Sequence, residues 1–293
     1  MNDIEKYKKA GKIAGQALQY GAKFIKEGAK LFDIADVTER KIFELGGKPA
    51  FPVNISINEL SAHYTPTHDD STVVKATDYV KLDVGAHIDG FIGDTALTIR
   101  PLGKDDLIIC SEKMLENAIA MMKPGTTIGE LGDVIERTAK QFGFNPVRNL
   151  TGHSLGQHDL HAGMTIPNIK TASKYQIRDG EIYAVEPFCT AGAGQVKDSG
   201  QAEIFRWLND RSIRAPEGRK LLEISKNKFE RLPFAKRWIT DIPKVKLDMV
   251  LRQLVLANAI HPYFPLKEVS EKPVAQTEHT IIVGDKPIVT TRL

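Results

Sequence analysis

The sequence predicts an α+β fold of two pseudo-symmetric halves, an antiparallel sheet backed by paired helices, with a helical subdomain inserted late in the chain. Three observations carry that expectation. An internal repeat pairs residues 24–50 with 121–147, β-rich runs follow each predicted helix pair, and a basic stretch near the C-terminal end matches neither copy of the repeat.

The repeat aligns FIKEGAKLFDIADVTERKIFELGGKPA with MMKPGTTIGELGDVIERTAKQFGFNPV without a gap, at an offset of 97 positions (123 − 26). Lys26 meets Lys123, Gly28 meets Gly125, and Asp36-Val37 meets Asp133-Val134. Glu39-Arg40 meets Glu136-Arg137, Gly46 meets Gly143, and Pro49 meets Pro146. In both copies an apolar helical stretch ends in Lys-x-Gly. A second helix follows, with a glycine near its end and a proline beyond it, as helix termination requires. Chance similarity of composition matches apolar positions more readily than punctuation, so these identities point to duplication. Two copies are too few for a solenoid. They suggest two α+β halves, the first about residues 1–104, with a site between them.

Residues 78–99, DYVKLDVGAHIDGFIGDTALTI, read as a hairpin of two β-rich runs around Asp89-Gly90. Residues 180–188, GEIYAVEPF, read as a shorter strand, 273–283, PVAQTEHTIIV, as another, and IVTTRL after the turn GDKP as the last. Helix pairs followed by antiparallel strands favour α+β over a wound parallel sheet. Between 202 and 264 the texture changes to helix formers and cations. Residues 206–252 hold 13 Lys/Arg and 6 Asp/Glu, a net of +7, which leaves 3 − 7 = −4 for the remainder. The expected division is a catalytic domain of 1–204 with 264–293, and an inserted helical subdomain of 205–263.

With 293 residues, 42% hydrophobic and 26% charged, the chain has an ordinary globular composition. Its net charge of +3 is too small to imply polyanion binding by the chain as a whole. Cys110 and Cys189 show no pairing pattern, which fits a reducing compartment. The start lacks the apolar stretch of a signal peptide, and no apolar run approaches the roughly 20 residues that span a membrane. A cytoplasmic protein with no membrane partner is expected, monomeric as a default.

Five residues on four segments carry the chemistry. A two-residue turn at Asp89-Gly90 pairs Ile88 with Phe91 and sets Asp94 opposite Gly85. A four-residue turn would set Asp94 opposite Asp83. Either way Asp83 and Asp94 share a face, because side chains alternate with period two. Like charges so close repel unless a cation or proton lies between them. TGHSLGQHDLHAG, 151–163, offers three histidines in a glycine-punctuated loop. Glu186 in AVEPF and Glu278 in AQTEHTIIV are carboxylates in apolar strands, where a charge needs a partner. Two Asp, two Glu and one His suit a pair of divalent ions of the Mn, Fe, Co or Zn class, and neither cysteine belongs to the set.

In the contexts KLDVGAHIDGFIGDTA, GHSLGQ, AVEPF and QTEHT, the order Asp83, Asp94, His153, Glu186, Glu278 resembles the pita-bread metallopeptidases, and among them the type II methionine aminopeptidases. AFPVNISINELSAHYTP, 50–66, is similar to the segment that leads to that family's first catalytic histidine. GHSLGQ followed by HAGMTIP is similar to the second. The long interval between Glu186 and Glu278 is similar to the type II insert. The proline-directed relatives have an additional N-terminal domain, which is not expected here because the first repeat begins almost at residue 1. The lack of a long charged N-terminal extension resembles the archaeal enzymes.

The resemblance implies release of N-terminal methionine from nascent chains, with a small second residue preferred. It implies that Asp83 serves one ion, that Asp94 and Glu278 bridge both, and that His153 and Glu186 serve the other, with Glu186 also accepting the proton of the attacking water. His161 is implied to support the carbonyl oxygen, and His63 to contact the scissile amide or leaving amine. Phe51, Tyr263, Leu266 and Ile204 match positions that line the methionine pocket. His68, His87, His158 and His279 are expected to be bystanders. The basic insert makes the ribosome a candidate partner, through its anionic RNA.

Overall fold

The computed structural model describes all 293 residues, Met1–Leu293. Each half opens with two helices. In the first, α1 (Asp3–Ala22) is capped by the Asn2 side chain, which accepts from the Glu5 amide, and α2 (Leu31–Glu44) follows. In the second, α3 (Asp106–Ala120) is capped by Asp105, and α4 (Ile128–Gln141) by a Thr127–Glu130 capping box. The box satisfies amides that the first helical turn leaves without partners. The duplication is geometric: α2 and α4 begin at 31 and 128 and end at 44 and 141. The strands Lys48–Pro49 and Asn145–Pro146, and then Asn54–Ile57 and Thr151–Ser154, keep the same offset. Gly46 and Gly143 both leave their helices in the left-handed region, at φ of 81° and 78°, which glycine adopts without a Cβ clash.

The predicted hairpin consists of Val80–Ile88 and Phe91–Ile99, with Ile88 opposite Phe91 and Gly85 opposite Asp94, the register of a two-residue turn. Asn54–Ile57 and Lys48–Pro49 pair with the other edge of Val80–Ile88. In the second half five strands lie in the order Ile288–Val289, His279–Ile282, Ile182–Val185, Thr151–Ser154, Thr165–Pro167. All these pairings are antiparallel. The sheets of the two halves meet where Ala96 and Glu278 exchange backbone hydrogen bonds of 3.4 and 2.9 Å. Two runs expected as single strands are each split in two. Ile182–Val185 stops before Glu186-Pro187, and Val274–Gln276 is separated from His279–Ile282 by Thr277-Glu278. At Pro187 the cause is a missing amide, which cannot donate to a ladder.

The apolar residues form one core in each half: Leu31, Ile42, Val80 and Leu82 in the first, Met114, Leu131, Tyr183 and Ile281 in the second. Residues 204–263 build another around α5 (Pro216–Asn227) and α6 (Lys244–Leu256). Besides these helices the segment holds a three-stranded sheet, with Ile204–Trp207 between Phe234–Ala235 and Ile260–Tyr263. A smaller cluster that includes Tyr7, Phe51, Phe91, Leu160 and Leu232 joins all three regions. Glu39 of α2 anchors the segment: its carboxylate accepts from Arg237, from the Trp238 indole at 3.0 Å and from the Val53 amide at 3.1 Å. No helix is long and apolar enough to cross a membrane.

Helix α1 rests directly on the hairpin backbone. A Cβ at Gly93 would lie 2.4 Å from the Gly11 Cα and amide nitrogen. Backbone cannot yield as a side-chain tip does, so Gly93→Ala is expected to destabilise the fold by about 1–3 kcal/mol, the usual overpacking penalty. Urea unfolding checks this; an unchanged midpoint would show that α1 and the hairpin can part without loss.

Candidate metal centre

The site lies where the sheets of the two halves meet. Asp83 and Asp94 come from adjacent hairpin strands, opposite Ala96 and Gly85, and therefore share a face. Gly85 leaves that face open: a Cβ there would stand 2.2 Å from the Phe51 ring, which packs over the bare backbone. His153 stands on Thr151–Ser154, opposite Ala184. Its Nε2 lies 3.4 Å from Glu186 Oε1 and 3.8 Å from Asp94 Oδ2. Glu278 enters through the backbone bridge to Ala96. The Thr280 hydroxyl ties its strand to Asp94, accepting from the Asp94 amide at 2.7 Å and donating to the Asp94 carbonyl at 2.8 Å. One potential ligand atom from each of Asp94, His153 and Glu278 falls within 4.8 Å of the others, with Asp83 and Glu186 flanking.

The electrostatics of this cluster are unfavourable without a cation. Burial raises the Asp83 carboxyl to about 7. Burial first, and then the neighbouring carboxylates, push Asp94, Glu186 and Glu278 well above the usual range. Burial lowers His153 to about 4, so its imidazole is neutral and free to ligate. No Lys or Arg pairs with any of the four carboxylates. Asp83 Oδ1, Asp94 Oδ1, Glu278 Oε2 and His153 Nδ1 are buried without a hydrogen-bond partner. Buried polar atoms are rarely left so. A set of hard oxygens with one imidazole fits divalent cations.

The six further residues expected at the site line the same cavity of about 310 Å³: His63, His161, Phe51, Ile204, Tyr263 and Leu266. The His161 ring centroid is 4.5 Å from that of His153. Tyr263 stands 5.3 Å from His63 and 6.2 Å from His161. Burial lowers His63 to about 4; burial, helped by His153 and His63, lowers His161 to about 2. Both are neutral near pH 7. His63 is held at a φ of 62°, which is strained for a residue with a side chain.

The profile of metallopeptidase family M24 matches residues 5–217. The chain belongs to that family. It is 48% identical to a methionine aminopeptidase of Thermococcus onnurineus over 286 residues, covering 97% of both chains. Among solved structures, a methionine aminopeptidase from Thermotoga maritima superimposes with a TM-score of 0.74 at 25% identity, covering 99% of this chain and 97% of that one. A thermophilic Arx1 superimposes with a TM-score of 0.88 at 20% identity, covering 98% and 90%, which is a likeness of fold.

Two polar residues of this metallopeptidase site escaped sequence reasoning. Gln276 is buried and donates from Nε2 to Glu186 Oε2 at 3.2 Å, while its amide oxygen has no partner. Asn54 pairs in register with Asp83, lines the cavity and also has an unpartnered amide oxygen. They stand in VNIS and QTEHT, but each faces a carboxylate on another segment, which the sequence alone does not show. His261, never singled out, packs edge-on against Tyr263 at 4.8 Å. His87 and His158 face a different cavity, His279 bonds Thr291 at 2.8 Å, and His68 packs on Phe32.

Asp83 sets a pH signature. Its folded value lies above its ordinary 3.8, so its contribution to stability is complete below pH 3.8 and is lost as pH rises toward about 7. In chelator-treated protein, Asp83→Asn is therefore expected to flatten the fall of melting temperature across that window. Adding Mn, Co or Zn at pH 7 should raise the melting temperature of the native chain, because a ligand that binds only the folded state stabilises it. Absence of any metal-induced shift would remove the cation from this account.

Proposed function

We propose that the chain is a methionine aminopeptidase that works with two divalent ions of the Mn, Fe, Co or Zn class and releases initiator methionine from nascent chains in the cytoplasm, as a monomer. The observation that carries this reading is the buried cluster of four carboxylates and one imidazole, with no lysine or arginine partner, in a chain whose curated relatives are named methionine aminopeptidases. In this assignment Asp83, Asp94, His153, Glu186 and Glu278 would hold the ions, with Asp94 and Glu278 shared between them. Bound there, the ions would neutralise the carboxylates and acidify water enough to make a nucleophile at neutral pH.

The chain's own groups do the rest. Glu186 takes up the proton of the attacking water. His161, neutral and therefore keeping one N–H, donates to the carbonyl oxygen as it gains charge. His63 contacts the scissile amide and the leaving amine. Phe51, Ile204, Tyr263 and Leu266 receive the methionine side chain, whose flexibility and thioether suit a slot with aromatic edges. Residues 205–263 act as an inserted subdomain that closes one side of this slot through Pro233 and Tyr263, beside Ile204 at its entry. Exposed Arg211, Arg214, Arg219 and Lys220 on it offer the ribosome a cationic face.

Chelation is expected to abolish cleavage and a divalent ion to restore it. Asp94→Ala should lose more activity than Asp83→Ala, because it would remove a ligand from both ions; activity that survives complete metal removal overturns the assignment. Met-Ala-x and Met-Gly-x peptides should lose methionine, whereas Met-Lys-x and Ala-Pro-x should not. His161→Ala is expected to lower kcat by about 10²–10³-fold, the usual loss for one such donor, with metal content unchanged. Loss of metal in that variant would make His161 a ligand instead.

A further inference from the structure

A second cavity of about 420 Å³ lies behind the substrate pocket, between the end of α2, the turn of the hairpin and residues 228–238. Pro233 lines both cavities, and Leu232 beside it packs in the cluster that contains Phe51 and Leu160. One stretch of chain is thus a partition between the two spaces. We propose that this second cavity is a binding site for a small aromatic anion, a flat ring bearing a carboxylate or a phosphate, and that its occupant adjusts the back wall of the methionine slot.

The cavity has the two chemistries such a ligand needs. Phe43 and Trp238 supply apolar rings, and Phe229, stacked on Phe234 at 4.8 Å, braces Trp238. Phe43 is 59% exposed at the cavity mouth, so much of its ring is open to a ligand. Phe229 and Trp238 stack at 5.9 Å, and the Trp238 indole is fixed by its hydrogen bond to Glu39. Lys48 and Lys228 supply positive charge, and neither ammonium is paired with a carboxylate. The one acid in the lining, Glu230, is already engaged by His158 Nε2 at 3.0 Å. With Nε2 donating to Glu230, His158 Nδ1 is an acceptor that is buried without a partner, and a water can complete it. The ring of His87 is buried beside it, at a centroid distance of 6.0 Å.

The backbone points the same way. Glu230 and Arg231 are consecutive non-glycine residues in the left-handed region, at φ of 50° and 78°, and His158 is at 53°. Such conformations cost energy and persist where the surroundings over-determine them, often at ligand clamps. Here they occur directly beside the Leu232-Pro233 partition. None of these groups has a part in the peptidase chemistry assigned above.

The test uses the whole chain with Trp207→Phe, which leaves Trp238 as its sole tryptophan. Trp238 fluorescence is followed on titration with phenylacetate, phenyl phosphate, phenylacetamide and inorganic phosphate. The expected result is a saturable change with phenylacetate, phenyl phosphate or both; the pair tells which anion is read. Phenylacetamide and inorganic phosphate should bind at least about tenfold more weakly, since each lacks one of the two features. Adding Lys48→Gln and Lys228→Gln, or separately Phe43→Ala, should weaken binding by about tenfold or more. These are exposed positions, so the variants should fold as the parent does. No saturable change with either aromatic anion, or equal binding by the lysine variant, overturns the site. The coupling rests on the methionine-pocket reading and is scored apart: saturating ligand should shift KM for a Met-Ala-x peptide. A KM unchanged while Trp238 reports binding overturns the coupling and leaves the site.

Discussion

Four carboxylates and an imidazole are enclosed at the junction of two half-sheets, with no lysine or arginine among their partners. That concentration of like charge is the constraint from which the rest of the structure takes its meaning. Burial makes each charge costly and neighbouring charges make it costlier, so the cluster is a poor contributor to stability unless a cation enters. Proteins keep such arrangements where the cation does work. The scaffold accordingly holds each carboxylate from the backbone outward: a hairpin for the aspartates, broken strands for the glutamates, a threonine hydroxyl that fastens Asp94 to the strand of Glu278.

Duplication provides the means of enclosure. Each half has a helix pair and a core of its own. Two halves face each other across the Ala96–Glu278 bridge, and the clustered carboxylates and imidazole come from both sides of it. Close approach is obtained by deleting side chains where backbones meet. Gly93 lets α1 lie on the hairpin, and Gly85 lets Phe51 lie flat over the strand beside Asp94. These two glycines have the same purpose at opposite faces of one hairpin: the first holds its outer face to a helix, and the second shapes the chamber on its inner face.

The segment 204–263 gives the chamber its remaining side. It has its own core and sheet, yet it is anchored to α2 by the Glu39, Arg237 and Trp238 contacts, and it lends Ile204, Pro233 and Tyr263 to the cavity. The histidines facing that cavity are neutral because they are buried, so they can donate hydrogen bonds without adding charge to the chamber. The strained backbone at His63 belongs to the same chamber, and that at Glu230 and Arg231 to the partition behind it.

Much of this was legible in the residues alone. The offset of 97 between copies recurs in helices, strands and glycine φ angles, because punctuation is a local property of the chain. Period-two alternation placed Asp83 and Asp94 on one face, because strand geometry is also local. The hairpin register remained open between two turns until the pairing of Ile88 with Phe91 decided it. The break at Glu186 was signalled by Pro187, whose missing amide cannot join a ladder, whereas the break at Thr277-Glu278 has no such marker in the sequence. Nor were the roles of Asn54 and Gln276 legible, since these are amides of ordinary appearance whose meaning comes from a carboxylate on another segment. The sequence by itself determined the repeat, the donor types and their faces. Only the tertiary structure decided distances, burial and partners, because these depend on contacts between residues as far apart as Asp94 and Thr280, which no local pattern encodes.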